Sequence, residues 1–218
     1  MTYLLTAATI GLILFIGWRH WMVVRFFRHA RYTALPENAP PHLVSILQPI
    51  LSGDPTLPQT LGHNLAARTG YTCEFLWLVD EDDVTGQAIC AALIAAHPRV
   101  TVRLLLQPAP PQGVNPKMFK LIRGLAAARG DVICVLDDDT MLPDGGLEQC
   151  LPYLDLPGAG LAFGLPYQVN FSNAWSSLIA LFVNANSLPT YVPYASLHEP
   201  VTINGMFYAL HRTVLDQM

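Results

Sequence analysis

The first eighteen positions, MTYLLTAATIGLILFIGW, contain no charged residue, and after Arg19 and His20 the apolar character resumes in WMVVRFF. About 20 mostly apolar residues suffice to cross a bilayer core, so residues 1–28 are predicted to form a transmembrane anchor. Trp18, Trp21, Phe26 and Phe27 supply an interfacial belt, and Arg19, Arg25, Arg28 and Arg31 all follow the apolar run. Arginine on that side predicts that the remainder of the chain faces the cytoplasm. A cleaved signal peptide would place basic residues before the apolar run, and the sequence has none there.

A Pro-rich stretch, LPENAPPH, lies in a linker over residues 29–42, and beyond it the pattern changes. LVSILQP, EFLWLVD, VTVRLLL and DVICVLDDD are short apolar runs that read as buried strands. Between them LPQTLGHNLAARTG, closed by Gly70, TGQAICAALIAAHP and NPKMFKLIRGLAAARG read as helices. Strands alternating with helices of this length predict an α/β, Rossmann-like domain over residues 43–218. Its sheet should be mostly parallel and covered on both faces. In NPKMF, Asn115 is a candidate N-cap and Pro116 a first helical residue.

Composition narrows the function. The chain has 218 residues, is 52% hydrophobic and carries a formal net charge of -4, so it offers a nucleic acid no electrostatic footprint. Cys73, Cys90, Cys134 and Cys150 are widely spaced, mostly inside apolar runs, which suits buried thiols in a reducing compartment.

The acidic residues fall where chemistry is expected. Ligands of parallel sheets bind at the carboxyl ends of the strands, and Asp80, Glu81, Asp82 and Asp83 end the second strand while Asp137, Asp138 and Asp139 end the fourth. Adjacent carboxylates repel unless a cation sits among them. Asp137 and Asp139 form a D-x-D pair suited to Mg²⁺ or Mn²⁺, which takes one or two carboxylates together with phosphate oxygens. A phosphatase of the D-x-D-x-[TV] type fits poorly, because Met141 occupies the fifth position. A phosphate-binding P-loop and a G-x-G-x-x-G fingerprint are both absent. Lys117 and the start of the helix in NPKMF would present positive charge to the same anion. Asp83 also has a simpler reading, as the cap of the helix that follows it.

Six blocks in order resemble the inverting nucleotide-sugar glycosyltransferases of GT-A fold, and among them the ceramide glucosyltransferase and hopanoid-associated type. They are VSILQPILSGDP, LWLVDEDD, NPKMFKL, VLDDD, GLPYQ and TINGMFYALHRTVLD. The resemblance implies a UDP-sugar donor, a membrane lipid acceptor such as ceramide or a hopanoid, and transfer of a hexose with inversion. It implies that Asp80, Asp82 and Asp83, with Asn115, Lys117, Asp137 and Asp138, bind the donor. The metal would fall to Asp137 and Asp139, since DDD here restores the D-x-D that the animal ceramide enzymes lack. On the acceptor side it implies Gly164, Pro166 and Tyr167, together with Asn204 and Gly205.

The resemblance also implies that the catalytic base belongs to a third acidic motif beyond Met218, so the catalytic base is unassigned and this chain alone is expected to be a poor catalyst. A non-catalytic nucleotide-sugar-binding protein on the same scaffold is the alternative. Phe171 to Pro200, FSNAWSSLIALFVNANSLPTYVPYASLHEP, is apolar and aromatic but broken by Asn and Pro. It reads either as an interfacial helix near the lipid, with Trp175, Phe182, Tyr191 and Tyr194 outward, or as a core helix and loop under the sheet.

Overall fold

The structure, a computed structural model, describes residues 1–30, 42–169, 171–198 and 202–217. Arg31 and most of the predicted linker lie outside the described residues. The chain divides into two compact units, Met1–Ala34 with Leu165–Ile203, and Leu35–Gly164 with Asn204–Met218. The domain predicted as continuous over 43–218 is thus interrupted, because Leu165–Ile203 clusters with the N-terminal helix.

The first unit holds two long helices, α1 (Thr2–Ala30) and α6 (Ala174–Leu197). The Thr2–Arg28 part of α1 is long and apolar enough to cross a membrane. Asn173 caps α6, its side chain accepting from the Trp175 and Ser176 amides, and the Ser176 hydroxyl accepts from the Asn173 amide in return. Of the two readings of this region, the structure gives a single helix of 24 residues containing Pro189 and Pro193.

In the second unit the four predicted strands form as β1 (Val44–Pro49), β2 (Cys73–Asp80), β3 (Thr101–Gln107) and β4 (Val132–Leu136), parallel in the order β3-β2-β1-β4. β1, β2 and β4 are nearly continuous buried runs, as strands covered on both faces must be. One face packs on α2 (Leu57–Ala66) and α3 (Val84–Ala96), burying Leu57, Leu61, Leu65 and Cys90. The other carries α4 (Pro116–Ala127), with Leu121 packed among Leu47, Leu76 and Leu78. A Cβ on Gly124 would lie 2.7 Å from Leu78 Cδ1, so glycine there lets α4 approach the sheet.

Two strands depart from the predicted pattern. β6 (Phe207–His211) pairs antiparallel with β4, and β5 (Ala162–Phe163) pairs antiparallel with β6. They complete a mixed six-stranded sheet. Two short helices, α5 (Gly146–Cys150) and α7 (Arg212–Leu215), follow β4 and β6. The helix expected to close at Gly70 ends at Ala66 instead. Acidic side chains draw the next residues out of it: Asp144 accepts from the Arg68 amide at 2.8 Å, and Glu148 from the Gly70 amide at 2.6 Å. The four cysteines are free thiols, and burial pushes Cys90 up to about 12 and Cys73 and Cys150 up to about 11.

Candidate functional site

The strand order turns at β1, whose neighbours β2 and β4 lie on opposite sides of it. At such a switch point the loops leaving the carboxyl ends diverge and leave a crevice. A cavity of about 560 Å³ opens there, lined among others by Ile50 and Leu51 after β1, Asp80 and Asp82 after β2, and Asp137 and Asp138 after β4. Asn115, Lys117 and Lys120 from the start of α4 line it too. A second cavity of about 300 Å³, beside Cys73 and Thr101, lies by the strands' amino ends, away from the acidic clusters.

The backbone from Ile50 to Ser52 organises the crevice. The Ile50 carbonyl accepts from Lys120 Nζ at 2.9 Å, the Leu51 amide donates to Asp138 at 2.8 Å, and the Ser52 amide donates to Asp83 at 3.0 Å. Three successive residues thereby fix the ends of β2, β4 and α4 to the end of β1. Lys120 Nζ also pairs with Asp80 at 2.8 Å, and its side chain is only 7% exposed. The sequence reading omitted Lys120. The signal was present, since Lys117 and Lys120 are three apart and share one face of a helix.

Asn115 caps α4 as predicted, its side-chain oxygen accepting from the Met118 amide at 3.1 Å, with Pro116 at the first helical position. Lys117 is thereby held beside β4, where it donates to Asp137 at 2.5 Å. Desolvation raises Asp137 above the usual carboxylate range, which Lys117 opposes and Asp139 reinforces. Desolvation raises Asp138 as well, against the Leu51 hydrogen bond and with the charges of Asp139 and Asp137. Asp139 is exposed and its contact is with the adjacent Thr140 hydroxyl at 3.3 Å.

The other predicted residues separate. Asp82 is exposed and lines the cavity. Asp83 is the N-cap of α3, accepting from the Gly86 amide at 2.9 Å as well as from Ser52. Burial alone would raise its pKa, but those hydrogen bonds and the Lys120 charge hold it below the usual range. Asn204 accepts from the Met206 amide, and the Met206 carbonyl in turn accepts from the Asp137 amide at 2.9 Å, which sets Asn204–Met206 beside the acidic triplet. Gly205 has open space where a Cβ would stand and no positive φ, so nothing local demands glycine. The Gly164 amide donates to the Phe207 carbonyl at 3.0 Å. Pro166 and Tyr167 belong to the first unit, where Tyr167 is 73% exposed.

Among the described residues no three His, Cys, Asp or Glu side chains converge to hold a metal by themselves. The donor set nonetheless fits a hard divalent cation. Asp137 and Asp139 offer carboxylate oxygens, and Mg²⁺ or Mn²⁺ needs only one or two of these when phosphate and water complete its shell. Four carboxylates face the cavity against two ammonium groups, each already paired with a carboxylate. A bare diphosphate would be repelled from it.

A parallel sheet with an acidic triplet at its switch point defines the class, a nucleotide-sugar transferase scaffold of GT-A type. The chain belongs to glycosyl transferase family 21, whose model matches residues 2–218. It is 22% identical over 175 residues to ceramide glucosyltransferase 1 of Caenorhabditis elegans, a match covering 80% of this chain and 37% of that protein. Its fold is that of the mannosyltransferase PcManGT from Pyrobaculum calidifontis, solved with GDP-Man and Mn²⁺, with a TM-score of 0.60 at 15% identity. That alignment covers 94% of this chain and 56% of the other. Glucosyl-3-phosphoglycerate synthase from Mycobacterium tuberculosis, solved with UDP, aligns at a TM-score of 0.44 and 19% identity, over 79% of this chain and 57% of that one. The chain therefore spans between about a third and three fifths of the relatives it matches.

Proposed function

We propose that this chain provides the donor half of a glycosyltransferase that moves a hexose from a UDP-sugar to a membrane lipid, ceramide- or hopanoid-like, with inversion. The observation that carries the reading is the pairing of Lys117 with Asp137 at the mouth of the switch-point crevice. Lys117 is 41% exposed, so it can exchange that carboxylate for a phosphate oxygen. The start of α4 adds unpaired amides facing the same anion. Asp137 and Asp139 would hold Mg²⁺ or Mn²⁺, which supplies Lewis-acid stabilisation of the departing diphosphate. Asp80, held by Lys120, and Asp82 face the cavity where the nucleoside would lie. Asn204 and Gly205, with Gly164, Pro166 and Tyr167, are assigned to the acceptor side.

The match to a ceramide glucosyltransferase supports a lipid acceptor, and the apolar length of α1 supports a membrane anchor with the sheet on the cytoplasmic side. The neighbour solved with a nucleotide sugar and Mn²⁺ supports a metal-assisted donor site. Reconstitution with radiolabelled UDP-hexoses and vesicles containing ceramide or a hopanoid tests the whole reading. Label in the extracted lipid is the expected product when the longer family form is used as the source. Label confined to free sugar with every lipid would overturn the acceptor assignment.

A further inference from the structure

We propose that α6 lies in the membrane–water interface and presents the stripe Trp175, Leu178, Ile179 and Phe182 to the lipid bilayer. These four are spaced i, i+3, i+4 and i+7, hence on one face of the helix. All four are exposed, by 56–77%. The 24 residues of α6 include no Asp, Glu, Lys or Arg. Water would solvate such a face poorly.

The site where α6 meets α1 indicates the level at which it lies. Within their unit, Arg19 donates from Nε to the Pro189 carbonyl at 2.7 Å and from Nη2 to the Thr190 hydroxyl at 2.8 Å. Among the described side chains of α1 the burial is confined to Arg19, Met22 and Val23, whereas residues 2–18 are exposed throughout. In α6 the buried positions are Ala180, Pro189, Val192 and Pro193. The helices therefore touch beside Trp18 and Trp21, at the end of the apolar run and not along it. Tryptophan marks the headgroup level of a bilayer, and Tyr191 and Tyr194 bring two further amphipathic rings to that level on α6.

The Arg19 contact also explains how α6 tolerates that environment. Pro193 has no amide hydrogen, so the Pro189 carbonyl loses its partner four residues on. An orphan carbonyl is costly where water is scarce, and the Arg19 guanidinium takes the missing donor's place. Its charge is further screened by the Phe15 ring, whose centroid is 5.7 Å away. A bilayer fits the stripe better than a second protein because the exposed face continues onto α1, which already has the length and composition to enter one. A helix of this kind buries its apolar face about 5–10 Å into the boundary.

The test uses the full chain in vesicles and reads tryptophan emission, with the Trp175→Phe variant subtracted to isolate Trp175. Lipids brominated near the headgroup end of the acyl chain should remove most of that difference signal, and aqueous iodide should remove little. Leu178→Asn with Phe182→Asn should reverse the order of the two quenchers. Strong iodide quenching without quenching by bromolipid would place the stripe in water. Failure of both quenchers would mean that protein, such as a second copy, covers it. Either result overturns the proposal. Nucleotide binding does not enter this readout, so failure of the donor reading would leave it unchanged.

Discussion

Replacing Lys120 with Met should destabilise the sheet unit and the donor crevice together. The lysine side chain is 7% exposed, pairs with Asp80 at 2.8 Å and donates to the Ile50 carbonyl at 2.9 Å. Methionine keeps much of the packing volume but strands both partners. Breaking a buried ion pair by removing one member costs about 3–5 kcal/mol. Asp80 remains 24% exposed and can recover some hydration, which favours the lower end, about 3 kcal/mol. That is a large fraction of a typical domain's stability of about 5–15 kcal/mol. Urea unfolding in micelles, followed by the fluorescence of Trp77, which is buried beside Gln48, reads the loss. With a slope of about 1–3 kcal/mol per molar urea, the midpoint should fall by at least about 1 M. Asp80→Asn added to Lys120→Met should restore part of the loss, since contacting residues couple by about 0.5–3 kcal/mol. A Lys120→Met loss below about 1 kcal/mol, or strict additivity with Asp80→Asn, would refute the claim that this pair holds the crevice.

Asp83→Ala should cost about 0.5–2 kcal/mol at neutral pH through the lost cap of α3 and the lost Ser52 contact. Because the folded Asp83 has a lowered pKa, its contribution is complete above the ordinary Asp value and fades as pH falls through the lower folded value. Wild-type and variant denaturation curves should therefore converge in acid. Gly130→Ala should cost about 2–3 kcal/mol, since its Cβ would meet the Ser45 amide nitrogen at 2.6 Å and the Leu43 carbonyl at 2.7 Å, backbone atoms that cannot turn aside. Gly124→Ala should cost less, because it meets only methyl groups and gains up to about 1 kcal/mol of helix propensity. Lys117→Ala should weaken UDP binding about tenfold or more, the value of one charge-assisted hydrogen bond, as measured by calorimetry.

The sequence revealed the four parallel strands because each is a short apolar run bounded by turn residues. It revealed the Asn115 cap because N-P at a helix start has few other uses. β6 escaped because its partner, β4, is about 75 residues earlier and its own burial alternates weakly. The crevice was legible in its carboxylates, which follow strands, but not in the Ile50–Ser52 backbone that secures them, since main-chain contacts leave no mark on residue identity. Arg19 shows the limit most clearly. By composition it is one of several flanking arginines, yet its partners are Pro189 and Thr190, 170 and 171 positions away. No local pattern encodes such a pairing. Asp83 illustrates the converse: its position suggested both a ligand and a cap, and the cap is what the backbone hydrogen bonds display.

The central claim is that the acidic triplet and Lys117 together form a cation-assisted diphosphate site. Titration of UDP into the full chain, with Mn²⁺ present and then with EDTA, tests it most directly when repeated on Asp137→Asn. Saturable binding with Mn²⁺ and loss of most affinity in EDTA are expected, together with a variant whose affinity is weak and nearly indifferent to the metal. Equal UDP affinity with and without the cation in the unmodified chain would contradict it.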